Sequence, residues 1–467
     1  MKCIIGAEDY ALSQKNDYVP VVYDTAVLNN GHVMLCGTSG TGKSFTLQRM
    51  VESALGSKNT RVHLFDIHSE YSFSGGVAAE FGESSSFGYN PLLVDPSPKN
   101  GGVRRAISSF ISIINDSGTK LGSRQEPAMK NLLEELYIAH GFDADDPSSW
   151  KKKSLNEAQW YELHKKGKSR FGYQPTLMDL MLIVEAKIVH VFTGGNSLAA
   201  RALSKVNTKA RKLAKYKKEM VRKDSLNVDE REKLGADLEA AKAEAIDAYA
   251  SYIEKIENGS EFWDLIKYNS VDTLVAIKER LTAISHTGIF APNPPPFRDS
   301  RLCVYKLKDL RHEEASMLIQ LRMLDILEEQ KQLGPTADVR VVIILEEAHL
   351  FVAEVSEDHP VMIIANQARK FGVALWLISQ QPSHFPTDFR NNVSTTIFLG
   401  VHSSSHAEVE KKFNIAKDQL KHLKPQNTAL VRLGIKGQGE GMFKSVCVSA
   451  SRLKGAKIKA APERKSA

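Results

Sequence analysis

Five short, nearly uninterrupted apolar runs punctuate the chain: HVMLCG (32–37), RVHLFD (61–66), RVVIILEE (340–347), VALWLIS (373–379) and STTIFLG (394–400). Each ends in polar or glycine residues, and none alternates. Continuous apolarity of this length predicts strands covered on both faces by helices, the pattern of a mainly parallel α/β sheet. VYKLKDL (304–310) reads as another strand, followed by a helix over about 312–333.

A different periodicity occupies 128–290. Helical patterns at 125–140 and 176–192 lead into 198–257, where Leu and Ala recur at helical spacing with almost no Gly or Pro. The block predicts an α-helical insertion containing a long antiparallel helix pair that turns near Asp224–Asp229. APNPPPF (291–297) marks the return to the sheet. The expected organisation is therefore a sheet domain in two parts, 1–127 and 291–451, interrupted by the insertion 128–290 and followed by a tail, 452–467.

Composition changes this picture little. The 467 residues carry 62 Lys and Arg against 55 Asp and Glu, a formal charge of +7, and are 42% hydrophobic, which suits packed cores and excludes a disordered or collagen-like chain. Four scattered cysteines offer no C-x-x-C pair, so neither a zinc knuckle nor a disulfide framework is expected. The N-terminus lacks the apolar core of a signal peptide. The most apolar long stretch, LMDLMLIVEAKIVHVF, is broken by Asp179, Glu185 and Lys187. A cytoplasmic protein without membrane association is the expectation.

The distribution of charge says more than the total. Residues 201–223 hold ten Lys or Arg and one acid; 224–264 hold twelve acids and four bases; 452–467 hold six bases and one acid. The basic block has two readings, a nucleic-acid surface or a helix face paired with the acidic block that follows. Attraction between adjacent, oppositely charged helices favours the second. The tail reads as a solubilising end or as a polyanion contact.

The first strand runs into Gly37-Thr38-Ser39-Gly40-Thr41-Gly42-Lys43-Ser44, a full match to G-x-x-x-x-G-K-[ST]. Glycines there let consecutive backbone N–H groups and the next helix N-terminus wrap a phosphate. Lys43 would reach the β- and γ-phosphates of ATP and Ser44 the Mg²⁺. With Phe45, these residues form the expected nucleotide-binding set.

The third run closes on Glu346-Glu347, followed by Ala348-His349. The first acid is placed to orient the water shell of Mg²⁺ and the second to polarise the attacking water. An acidic helix N-cap at a strand end is the plain alternative for both Glu346 and Glu347. Gln380, at the end of the fourth run, would orient water near the γ-phosphate. Arg369, just before that run, is a candidate cation supplied to a neighbouring subunit; its plain alternative is a solvated Arg-Lys pair.

As a set, VPVVYDTAVLNNGHVMLCGTSGTGKS, FDIHSEYS (65–72), YNPLL (89–93), SRQEPAMKNLLEELY (123–137), IILEEAH and ARKFGVALWLISQQPS resemble the landmarks of the HerA branch of the HerA/FtsK superfamily, across about 18–135 and 270–450. The resemblance implies a RecA-like P-loop motor that assembles as a homo-hexamer, binds ATP between subunits and moves duplex DNA. It implies Lys43 and Ser44 at the phosphate loop, Glu347 as catalytic acid, Gln380 as sensor and Arg369 as the trans-acting arginine. Asp66, His68 and Glu70 match an acidic second-strand motif, for which helix capping and packing are the alternative. About thirty residues precede the loop, so the N-terminal β-barrel common in HerA proteins is expected to be absent or reduced. HerA-like motors serve with nucleases, in conjugation and in antiviral systems, so a nuclease or other effector partner is implied. A nucleotide-gated scaffold ring with little translocation is the other reading; a small-molecule kinase fits poorly, because the acidic pair suits activation of water.

Overall fold

The computed structural model describes residues 1–99, 101–116, 120–193, 197–222, 228–253, 267–268, 270–352, 359–438 and 441–454. It divides into two compact units, one formed by Met1–Tyr89 with the chain from Thr287 onward, the other by Asn90–His286.

The first unit is built on a single sheet. Its strands are β1 (Lys2–Glu8), β2 (Pro20–Asp24), β3 (Val33–Gly37), β4 (Arg61–Asp66), β5 (Val77–Glu80), β6 (Leu302–Lys306), β7 (Val341–Leu345), β8 (Val373–Ser379), β9 (Thr395–Gly400), β10 (Thr428–Leu433) and β11 (Lys444–Cys447). Their order is β2-β1-β11-β10-β9-β3-β8-β7-β4-β6-β5. From β9 to β5 every pairing is parallel, with Leu35 opposite Ile378 and Leu64 opposite Ile344. From β9 to β2 every pairing is antiparallel. The fold is thus α/β with a mainly parallel RecA-like sheet.

All five apolar runs are strands, and β3, β7 and β8 are buried at every position. Such strands lose both faces to helices, which is why they read as unbroken apolar runs. The strand expected over 304–310 begins earlier, at Leu302, and stops at Lys306; the helix after it is His312–Gln332. The core on one face of the sheet joins Leu35, Leu64, Ile344, Trp376 and Ile397 to Leu47, Met50 and Val51 of the helix Lys43–Leu55. Deleting several methylenes from such a site costs about 2–5 kcal/mol.

In the second unit, the helix Val103–Asp116 turns its buried Ile107, Phe110 and Ile114 inward, and Gln125–Ala139 does the same with Leu132, Leu133 and Leu136. The unit therefore begins at Asn90 rather than at residue 128. The helix Leu177–Thr193 buries Asp179, whose carboxylate accepts from the Thr176 N–H and hydroxyl and from Trp160 Nε1 and forms an ion pair with Arg170. That pairing explains an acid inside the most apolar stretch of the sequence. Two 26-residue helices, Ser197–Arg222 and Val228–Ile253, pack along each other. Lys209 and Lys212 of the first reach Glu244 of the second, at 2.8 and 3.2 Å. The basic block and the acidic block do pair there; the turn expected near Asp224–Asp229 falls largely outside the described residues. So does the tail beyond Lys454, while Arg452 pairs with Asp9 at 3.1 Å. Among the described residues no helix is long and apolar enough to cross a membrane.

Candidate functional site

The site lies where the parallel strands end. β3 delivers the loop 37–44 directly into the helix Lys43–Leu55. Gly40 and Gly42 hold φ of 78° and 96°, a backbone region open to glycine at little cost. Thr41 Oγ1 donates to Thr38 O at 2.7 Å and closes the loop on itself. Gln426, at φ 61°, clamps it from outside: its N–H donates to Thr41 O at 3.0 Å and its amide to Gly40 O at 3.1 Å. Glycine at the N-cap leaves this helix start without a side-chain cap, so its first N–H groups face the loop. A helix start of this kind is an anion site. Lys43 Nζ lies 3.5 Å from Thr38 O, folded over the loop it would serve. Phe45 is half exposed, with the Arg49 guanidinium 5.9 Å from its ring, so that position offers the cradle its backbone rather than its side chain.

The acidic pair follows β7, and β8 lies between β7 and β3. Gln380, just past β8, therefore emerges between the loop and the acids. Its side-chain amide donates to Glu347 at 3.4 Å and its carbonyl accepts from Cys36 Sγ at 3.4 Å. Glu347 is buried and sits at φ 42°, a left-handed conformation that costs a non-glycine residue about 1–3 kcal/mol and recurs at functional sites.

Glu346 is 3% exposed. Its Oε1 accepts from the Tyr71 hydroxyl at 3.0 Å, while Oε2 has no partner. Burial, reinforced by the charge of Asp66, pushes its carboxyl up to about 8. Asp66 ends β4 and accepts the N–H groups of Glu70 and Tyr71 at 3.1 and 3.0 Å, which fixes the turn that presents Tyr71. The Tyr71 hydroxyl also stands within hydrogen-bonding reach of Ser44. Ser44, Tyr71, Glu346 and Asp66 thus form one buried-to-exposed polar row. An orphaned buried carboxylate oxygen beside a P-loop serine fits a Mg²⁺ ion with its water shell: Ser44 Oγ and Glu346 Oε2 would hold it, and its positive charge would relieve the strain on Glu346.

Of the second-strand motif, Asp66 is buried in this row, whereas His68 and Glu70 are exposed. Arg369 lies elsewhere. It occupies a 3₁₀ turn, Ala368–Phe371, at the start of β8, whereas the loop and acids lie at the opposite ends of β3 and β7. Seven residues of β8 intervene, about 23 Å of extended chain. Arg369 opens onto a cavity of about 600 Å³ lined also by Asn30, Asp338, Asn366, Lys370 and Lys436.

Tyr71 and Gln426 escaped the sequence reading, as did His349, Ser379 and His384 around Glu347. Tyr71 lies inside FDIHSEYS, His349 beside the acidic pair and His384 just after Gln380, so proximity to motifs was the available signal; Gln426 arrives by tertiary placement alone.

Fold and site together define a RecA-like P-loop protein. The model of the family described as "Helicase HerA, central domain" matches residues 11–286, more than half of the chain. The chain belongs to that family, within the HerA/FtsK superfamily. It is 34% identical over 80 residues to the DNA double-strand break repair helicase HerA of Pyrococcus furiosus, 16% of this chain and 14% of that protein. It is 27% identical over 143 residues to the probable helicase MJECL08 of Methanocaldococcus jannaschii, 28% of each chain. The matched segments therefore span well under a third of these relatives. The structure of VirB4 from Thermoanaerobacter pseudethanolicus shares the fold, with a TM-score of 0.56 at 16% identity over 98% of this chain and 96% of that one. The family match stops before Glu347, Arg369 and Gln380, whose roles rest on position and geometry.

Proposed function

We propose that this protein hydrolyses ATP to move along duplex DNA as a ring of six identical copies. The observation that carries the reading is the convergence, on one rim of one sheet, of a phosphate loop, an acid with an orphaned oxygen and a second acid held by an amide. Lys43 and the loop N–H groups neutralise the phosphates as charge spreads over them. Mg²⁺, which Ser44 and Glu346 would hold, would supply further neutralisation of the phosphates. Glu347 takes the proton from an attacking water that Gln380 orients. Arg369, remote from its own loop, faces the nucleotide of an adjacent copy. Family membership supports helicase or translocase work on DNA; a nuclease or other effector subunit, in DNA processing or antiviral defence, is the further part of this proposal. The four cysteines are buried free thiols, which suits the cytoplasm.

The test is ATP hydrolysis with and without duplex DNA, together with the mass of the complex formed with ATP and DNA. Duplex-stimulated hydrolysis, triplex-strand displacement and a six-copy mass support the reading. Hydrolysis indifferent to DNA yet altered by a co-purifying protein would instead favour a scaffold ring.

A further inference from the structure

Glu347 is flanked by a polar cluster that the reaction described above does not use. His349, two residues on, brings Nδ1 to 3.3 Å from Glu347 Oε2. Ser379, the last residue of β8, is completely buried, and its Oγ lies 3.3 Å from His349 Nδ1 and 2.9 Å from His384 Nδ1. The two imidazoles stack with centroids 4.6 Å apart. His384 belongs to the short turn Pro382–His384, just beyond Gln380.

Proton counting makes this cluster directional. An ionised carboxylate only accepts, so the His349 tautomer that suits the 3.3 Å approach to Glu347 Oε2 carries Nδ1–H. Ser379 has one proton. With His349 Nδ1 already a donor, the hydroxyl proton goes to His384 Nδ1, which accepts it as a neutral imidazole. The Ser379 oxygen lone pairs then face His349 Nδ1–H, a second acceptor for the same tautomer. Burial, with the neighbouring His349, holds His384 below the usual histidine range and keeps it in the accepting form. His384 thus orients Ser379, Ser379 fixes the tautomer and ring of His349, and His349 stands against Oε2 of Glu347 while the Gln380 amide donates across both oxygens at 3.4 and 3.5 Å.

We infer that His349 is a positioning residue for Glu347, with Ser379 and His384 setting its tautomer, so that the aim of the base is tied to the segment that carries Gln380. The inference rests on the reading of Glu347 as the base in ATP hydrolysis. A left-handed backbone at Glu347 sets where the side chain starts but leaves its torsions free. An amide across both oxygens and an imidazole against Oε2 together remove that freedom, and misplacement of a reacting group by about 1 Å can cost about 100-fold in rate.

The experiment is single-turnover ATP hydrolysis by the full chain with duplex DNA, alongside binding of a fluorescent ATP analogue and thermal unfolding. His349→Ala is expected to slow hydrolysis about tenfold or more while nucleotide affinity stays within about twofold. His349→Asn, whose side-chain amide N–H takes the place of Nδ1–H, should recover most of that loss. Ser379→Ala should lose less than His349→Ala, and the double variant no more than His349→Ala, because the two act through one chain of contacts. An active parent with an unimpaired His349→Ala overturns the inference alone. So does a folded His349→Asn as slow as the alanine variant, or a double variant whose losses multiply. A folded parent without ATPase overturns the functional reading, and this inference with it.

Discussion

The two rims of the central sheet are electrostatic opposites. At the strand C-termini, Asp66, Glu346 and Glu347 lie close together, and their mutual repulsion adds to burial in raising the proton affinity of Glu346. At the other rim Arg369, Lys370 and Lys436 share a cavity with one acid, Asp338. Burial and then the charge of Arg369 push His32 down there to about 4. One rim is rich in acids and the other in cations, and a strand's length separates them. A single copy cannot bring them together, whereas a ring that places one rim against the other satisfies both. Charge complementarity of this kind also orients the encounter of copies.

The largest effects belong to the acidic rim. Lys43→Ala and Glu347→Gln should each reduce hydrolysis by about 100-fold or more, by different routes. Lys43→Ala weakens nucleotide binding because the phosphates lose their countercharge, whereas Glu347→Gln keeps nucleotide bound and unhydrolysed. Binding of a fluorescent ATP analogue beside phosphate release separates them; full hydrolysis by Glu347→Gln would remove that residue from its role.

Arg369→Ala tests the opposite rim. An arginine that acts across an interface contributes on the order of 1,000-fold to hydrolysis. Inactive Lys43→Ala copies mixed with inactive Arg369→Ala copies should regain part of the activity, since some interfaces then pair an intact loop with an intact arginine. No recovery in a verified mixed assembly would confine Arg369 to its own cavity.

Tyr71→Phe is expected to act more gently. Removing the hydroxyl leaves both oxygens of Glu346 unpartnered and frees Ser44 on one side. The Mg²⁺ concentration for half-maximal hydrolysis should rise about tenfold, because outer partners orient the groups that hold a metal. An unchanged Mg²⁺ titration would reduce Tyr71 to packing.

How much of this was legible in the sequence depends on which surface a segment buries. β3, β4, β7, β8 and β9 are enclosed on both faces and announce themselves as apolar runs. β1 exposes Lys2 and Ile4 while burying Cys3 and Ile5, β2 begins at Pro20, and β5 is four residues long, so none carries that signal. The loop 37–44 and the pair Glu346-Glu347 are contiguous, and contiguity is what a motif records. Gln426 serves the same site from a distant segment, brought in by the strand order, whereas Tyr71 and His384 lie close in sequence to Asp66 and Gln380. The start of the second unit was misplaced for a related reason: residues 103–116 form an amphipathic helix that packs on its successor, and only contact with Gln125–Ala139 assigns it there.

The smallest expected effect tests the cation-rich rim without touching hydrolysis. His32 is buried before β3, where Nδ1 accepts the Leu375 N–H at 3.0 Å. Its folded value of about 4 lies below the ordinary 6.5. The unfolded chain therefore takes up this proton first as pH falls. The stability this group contributes is complete above about 6.5 and is lost as pH drops toward 4, by about 3 kcal/mol over the whole window. His32→Asn keeps an acceptor for Leu375 but does not titrate, so its thermal midpoint should fall less steeply between pH 6.5 and 4 than that of the parent, whatever its absolute stability. Arg369→Ala removes one of the charges that keeps His32 neutral and should shallow the same slope in part. Identical slopes in all three proteins would mean that the rim's positive potential does not reach His32, and the contrast between the two rims would then rest on the acidic side alone.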